Sequence, residues 1–323
     1  MENTFTRSFR ELLNPDELDT KRYLNFLPIT EKYKPDLTPA ITPNIEKKIN
    51  DVNVIFKPEY LMPSGSFKDR GTYVTIAKLK EKGIKEVNLD SSGNAAISLA
   101  LYGRAERINV HVFVSEDISQ NKMRILKMLD PTIHEVRGDR MDVHEKAEGF
   151  DKGIYVSHWF NPFFIEGTKI TAYEIGERMN IDKVIVPTGS GTMFLGLYKG
   201  FKEVKEFGVI DSVPKMISVE AEGFESLKER SDRKSELAKG IEIVDPPRKD
   251  QMKSVLDETR GFSVSFDDEK IIDAQNELAS MGFLVESTSA AAYAAFKDLQ
   301  ENDEFEEDDK VLIPLTGSSL KYI

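Results

Sequence analysis

The chain has 323 residues, enough for two domains of ordinary size or one large body with a cleft. Apolar residues are 40% and aromatic residues 9%, which excludes extended disorder and fibrous repeats, and a net charge of −12 excludes a basic nucleic-acid surface. With no cysteine, disulfides, thiolate zinc sites and cysteine nucleophiles are excluded together, and the four histidines stand in no HExxH spacing.

The N-terminal segment is polar, and no apolar run approaches ~18 residues, so neither a signal peptide nor a membrane span is expected and a cytoplasmic location follows. From about residue 50 onward, short Val- and Ile-rich runs alternate with segments of helical period. That rhythm predicts an α/β fold with parallel strands and crossover helices. Residues 52–56 read as a strand, 69–82 as a helix, 87–89 as a strand and 94–104 as a helix. Residues 110–114 form the next expected strand; Ser119 caps a helix that Pro131 closes; 133–136 and 154–156 are short strands around a helix at 141–150. In the second half, helix 166–179, strand 183–186, helix 193–206 and strand 216–219 follow. A charged, irregular stretch at 228–253 comes next, then strand 263–266, helix 268–280, strand 283–285, helix 289–300 and strand 311–315. The acidic run at 301–309 reads as a solvated loop.

Four loops stand where strands end, the edge at which open α/β sheets bind ligands. In Pro63-Ser-Gly-Ser-Phe-Lys-Asp-Arg-Gly71, Lys68 opens a helix, where the positive end of the dipole eases loss of its proton, a setting suited to a Schiff base. Asp69 and Arg70 read as a local ion pair and cap. The run Asp90-Ser-Ser-Gly-Asn-Ala-Ala96 turns hydroxyls and amides toward one spot, a receptor for a carboxylate. Val186-Pro-Thr-Gly-Ser-Gly-Thr-Met193 is a short glycine turn at a helix start with room for one phosphate; it fits neither GxxxxGK[ST] nor GxGxxG, which argues against ATP and NAD. The last strand ends in Leu315-Thr-Gly-Ser-Ser-Leu-Lys321, uninformative alone.

Together, and in this order, these motifs resemble the tryptophan synthase β-like group of pyridoxal phosphate enzymes (fold type II), and threonine synthases most closely within it. The lead-in Arg22-Tyr23, Leu27-Pro28 and Thr38-Pro39, the motif Ser66–Arg70, the segment Glu286-Ser-Thr-Ser-Ala-Ala291 and the ending at 316–321 carry the resemblance nearly end to end. It implies two open twisted sheets with helices on both faces, divided into a large cofactor domain (1–54 and 159–323) and a smaller mobile domain (55–158). It makes Lys68 the Schiff-base lysine and the base that moves protons, Phe67 a wall of the ring pocket, and Asn94 the partner of the cofactor's phenolic oxygen. Gly189, Ser190, Gly191 and Thr192 become the phosphate loop. Thr316 then faces the pyridine nitrogen, where a hydroxyl moderates the electron sink and favours elimination or replacement over transamination. Ser91, Ser92, Asn94 and Ala95 would hold the substrate carboxylate.

One departure bears on substrate. Where threonine synthases commonly carry an arginine that helps hold the phosphate of O-phosphohomoserine, this chain has Phe164; the flanking Asn161 and Glu166 persist. A charge-assisted contact of that kind is worth about 1.5–3 kcal/mol, so another cation must supply it or the substrate differs. Lys169, His158 and Arg70 are the candidates, and His158 with Trp159 could equally be a packed pocket wall. The leading expectation is conversion of O-phospho-L-homoserine and water to L-threonine and phosphate. The alternatives are β-elimination or β-replacement on serine, threonine or O-phosphoserine, and a relic that kept the fold without the activity. The absence of the N-terminal extensions of larger members argues against an added regulatory module. A homodimer is expected by analogy; no nucleic acid, membrane or metal partner is.

Overall fold

The alternation of Val and Ile runs with helical segments folds into two sheets in the computed structural model, which describes residues 8–138 and 140–322. Among the described residues the strands are β1 (Ile45–Ile49), β2 (Val52–Lys57), β3 (Glu86–Asp90), β4 (Asn109–Ser115), β5 (Thr132–Val136), β6 (Ile154–Tyr155), β7 (Lys183–Pro187), β8 (Lys215–Ala221), β9 (Phe262–Phe266) and β10 (Lys310–Pro314). The larger sheet has the order β1-β2-β10-β7-β8-β9 and the smaller β5-β4-β3-β6. Every pair is parallel except β1–β2.

The helices are α1 (Phe9–Leu12), α2 (Lys68–Glu81), α3 (Asn94–Ala105), α4 (Gln120–Leu129), α5 (Arg140–Glu148), α6 (Pro162–Thr168), α7 (Ile170–Gly176), α8 (Thr192–Glu206), α9 (Lys249–Thr259), α10 (Asp268–Ser280) and α11 (Ser287–Glu301). Successive strand residues point to opposite faces, and both faces of the larger sheet are apolar. Ile55, Val184, Val186 and Leu312 pack with α7 and α8 on one side. Val54, Phe56, Ile185, Val311 and Ile313 pack with α10 and α11 on the other. The smaller sheet lies between α2, α3 and α4 on one face and, through Phe113, Val143 and Ala147, α5 on the other. Helices therefore cover both faces of each sheet, as expected of parallel strands.

Four expectations need correction. Residues 283–285 form no strand: β10 already has β2 and β7 on its two edges, and Val285 makes only an isolated bridge to Ser318. The helix expected over 166–179 starts earlier, with Asn161 capping Phe163 N at 3.0 Å and Pro162 at the first position, and divides at Lys169 into α6 and α7. The charged stretch at 228–253 is not irregular throughout, since α9 begins at Lys249, just after Pro246-Pro247.

Arg70 is the fourth. It does not pair with Asp69. Its guanidinium grips Glu59 (Nε–Oε2 2.5 Å, Nη2–Oε1 2.8 Å) and Glu174 (Nη1–Oε1 2.5 Å, Nη2–Oε2 3.0 Å), and Lys57 joins Glu174 at 2.8 Å. The whole network is buried. Burial alone would raise the Glu59 carboxyl, but Arg70 holds it below the usual carboxylate range. Arg70 thus ties α2 to α7 and is withdrawn from any role toward substrate. The close approach of α2 and α6 depends on missing side chains: a Cβ on Gly167 would sit 1.9 Å from the Arg70 carbonyl, and one on Gly71 would sit 2.4 Å from the Phe164 ring.

Candidate active site

The loop at 63–67 and the end of β10 are stitched together before either presents a side chain. Phe67 N donates to the Thr316 carbonyl at 3.0 Å and Ser318 N to the Gly65 carbonyl at 3.0 Å. Asp69 braces the same turn, accepting from Ser64 N at 2.7 Å and Ser64 Oγ at 2.5 Å; burial pushes its carboxyl up to about 6 against those bonds. Lys68 opens α2 with its amine 3.7 Å from the centre of the Phe67 ring. Burial, with the nearby Lys321 charge and against the pull of Glu286, brings the amine down from 10.5 to about 7. Desolvation leads here, where the helix dipole was the reason offered by the sequence. A lysine that is partly neutral near pH 7 is a nucleophile and a base.

Asn94 opens α3 at the end of β3 and reaches across to the large-sheet side. Its Nδ2 donates to both Glu286 oxygens, at 3.1 and 3.0 Å, while its Oδ1 accepts from Lys321, which is also paired with Glu286 at 3.0 Å. Gly317 makes room: a Cβ there would lie 2.4 Å from Glu286 Oε2. Ser91, Ser92 and Gly93 before Asn94 are only half-buried, and Ala95 lies beneath them. Thr316 is buried with its hydroxyl 3.0 Å from Ser289 Oγ, a neutral pair.

The turn 189–192 leads from β7 into α8, with Gly191 at φ +80 as N-cap. A Cβ on Gly191 would lie 2.4 Å from Met252 Sδ, and one on Gly189 would lie 2.7 Å from the Gly240 carbonyl. The amides of Gly189, Ser190 and Gly191 meet no acceptor among the described residues. Free amides at the start of a long helix form a cradle for one phosphate, and with the amine of Lys68 they fit pyridoxal phosphate. Lys68 would hold its aldehyde carbon and the turn its phosphate.

Two expected substrate contacts already have protein partners. Lys169 is buried between Glu166 (2.7 Å) and Glu203 (2.9 Å). His158 packs tilted against Phe164, with ring centres 5.4 Å apart, and meets Trp159 edge-on at 6.3 Å. It belongs to the wall over α6. In the sequence Glu286 and Lys321 stand only as parts of matching segments; their contact with Asn94 joins residues 192 and 227 positions apart, a pairing without local signal.

Comparison with known proteins shows the family. The chain is 30% identical over 334 residues to the threonine synthase of Methanocaldococcus jannaschii, covering 96% of this chain and 82% of that one. It is 30% identical over 294 residues to the threonine synthase of Methanosarcina acetivorans, covering 86% and 73%. Among solved structures, threonine deaminase isoform 2 from Solanum lycopersicum matches with a TM-score of 0.75 at 21% identity, covering 87% of this chain and 80% of that one. Maize serine racemase gives 0.72 at 21%, covering 86% and 88%. These two share the fold. The match to the family described as pyridoxal-phosphate dependent enzymes runs over residues 36–317, from the segment before β1 through the turn carrying Thr316, and so includes Lys68, Asn94 and the glycine turn; the chain belongs to that family.

Proposed function

We propose that the protein converts O-phospho-L-homoserine and water to L-threonine and phosphate. What supports this above all is the resemblance to threonine synthases over nearly the whole chain, with the motif around Lys68 and Asp69 and the loop carrying Asn94 in the order that resemblance implies. Bound pyridoxal phosphate supplies an electron sink for negative charge at the substrate's Cα. Lys68, partly neutral at pH 7, takes the Cα proton and then a Cβ proton, whose electron pair expels phosphate from Cγ; it returns a proton to Cγ and, once water has added at Cβ, another to Cα. Thr316, paired with the Ser289 hydroxyl, offers the ring nitrogen a neutral partner. Ser91, Ser92 and the amides opening α3 hold the substrate carboxylate.

One observation favours a second reading. Phe164, buried against Gly71, leaves the position of the expected arginine apolar, which suits β-elimination from serine, threonine or O-phosphoserine. Side-by-side incubation with O-phosphohomoserine, O-phosphoserine, serine and threonine separates the two. Phosphate release matched by threonine from the first substrate supports the synthase. Keto acid from serine or threonine, with no phosphate from O-phosphohomoserine, replaces it with the lyase. We also propose that the smaller-sheet unit closes on substrate and that the chain pairs as a homodimer. Identical hydrogen exchange at residues 91–96 with and without amino acid would count against the first, and a monomeric mass by light scattering against the second.

A further inference from the structure

If Phe164 removes one phosphate anchor, another cation has to face the same cleft. Arg70 is consumed by Glu59 and Glu174, Lys169 by Glu166 and Glu203, and Lys321 is paired with Glu286. Arg248 differs from all three. Its Nε donates to the Trp159 carbonyl at 2.8 Å and its Nη1 to Gln251 Oε1 at 3.2 Å, and among the described residues no carboxylate pairs with it. A guanidinium carries five N–H donors, so the rest of the fork is left to another acceptor. Half-buried, the group has its pKa lowered by desolvation.

Its position is set from two sides. Arg248 caps α9, one turn before Met252, the side chain that closes on Gly191 of the glycine turn. The carbonyl it holds belongs to Trp159, next to His158, whose ring packs against Phe164. Arg248 is thus tied to both, to the glycine turn through the helix that carries Met252 and to the wall that has lost its arginine through its bond to the Trp159 carbonyl.

We propose that Arg248 is the specificity-determining anchor for the distal phosphate of the substrate, taking over the contact that Phe164 cannot make; the proposal rests on the reaction proposed above. The shared chemistry is a phosphate monoester, and its two possible sources are the substrate and the cofactor. The test uses cofactor-saturated wild-type, Arg248→Gln and Arg248→Lys proteins, with calorimetric binding of inorganic phosphate, KM for O-phosphohomoserine, and cofactor retention at limiting pyridoxal phosphate. Arg248→Gln is expected to weaken phosphate binding and raise KM roughly ten- to hundredfold. Cofactor retention should stay at the wild-type level, and Arg248→Lys should recover part of the loss. Unaltered phosphate binding and KM alongside a lowered Tm would reduce Arg248 to a structural tie to Trp159 and overturn the proposal. Loss of cofactor in Arg248→Gln would overturn it too, by assigning the fork to the cofactor phosphate. Phosphate binding present in wild type and lost in Arg248→Gln supports the anchor even without turnover of O-phosphohomoserine, a failure that would fall on the reaction alone.

Discussion

Lys68→Ala should lower turnover by at least roughly 10²–10⁴-fold, the range lost when a positioned proton-transfer group is removed, with the loss of covalent cofactor attachment added to it. The expectation follows from the setting of the amine: it lies over the Phe67 ring, and burial together with the Lys321 charge brings it down to about 7. The sign of the pH dependence follows. Below pH 7 the amine is protonated and neither attacks an aldehyde nor accepts a proton; above it the neutral form dominates. Covalent capture of pyridoxal phosphate by the cofactor-free protein should therefore rise through a midpoint near 7 and level off. Lys321→Met removes a neighbouring positive charge that depresses the amine, so it should move that midpoint upward. A flat profile from pH 6 to 9, read by the visible absorbance of the bound cofactor, would refute the assignment of a depressed amine.

The second large effect is expected at the glycine turn. Gly191 adopts φ +80, a region that a β-branched residue enters only under strain, and its absent Cβ leaves Met252 Sδ room to approach. Gly191→Val must move the turn, and the amides of Gly189 and Ser190 with it, out of their shared direction. Cofactor affinity should fall at least about tenfold, the equivalent of one charge-assisted hydrogen bond to phosphate. Gly189→Ala tests the same cradle from the other side, since its Cβ would meet the Gly240 carbonyl at 2.7 Å. Equilibrium dialysis at limiting pyridoxal phosphate measures both. Wild-type affinity in both variants would mean that the turn does not hold the phosphate.

Much of this arrangement was legible in the sequence because its signals are local. Strands such as β7 and β10 are continuous Val/Ile runs, as strands covered on both faces must be, and the four loops fall at strand ends. What escaped depends on distance or on weak local patterns. β1 reads Ile-Glu-Lys-Lys-Ile, an edge strand with charged residues that resembles a solvated segment until β2 pairs with it. Arg70 looks like the partner of Asp69, but its carboxylates arrive from positions 59 and 174. Residues 283–285 have the composition of a strand, yet no sheet edge is left for them beside β10. Arg248 lay in a charged stretch whose Pro-Pro pair marks a helix start, and its contact with Trp159 spans 89 positions.

The cofactor is expected on Lys68, with its phosphate in the turn at 189–192. The most direct measurement is borohydride reduction of the cofactor-loaded wild-type protein, followed by peptide mapping of the fixed pyridoxyl group. The expected result is a single modified peptide containing Lys68. Label on Lys321, the other amine held at Asn94 and Glu286, or on any lysine outside this cleft, would contradict it.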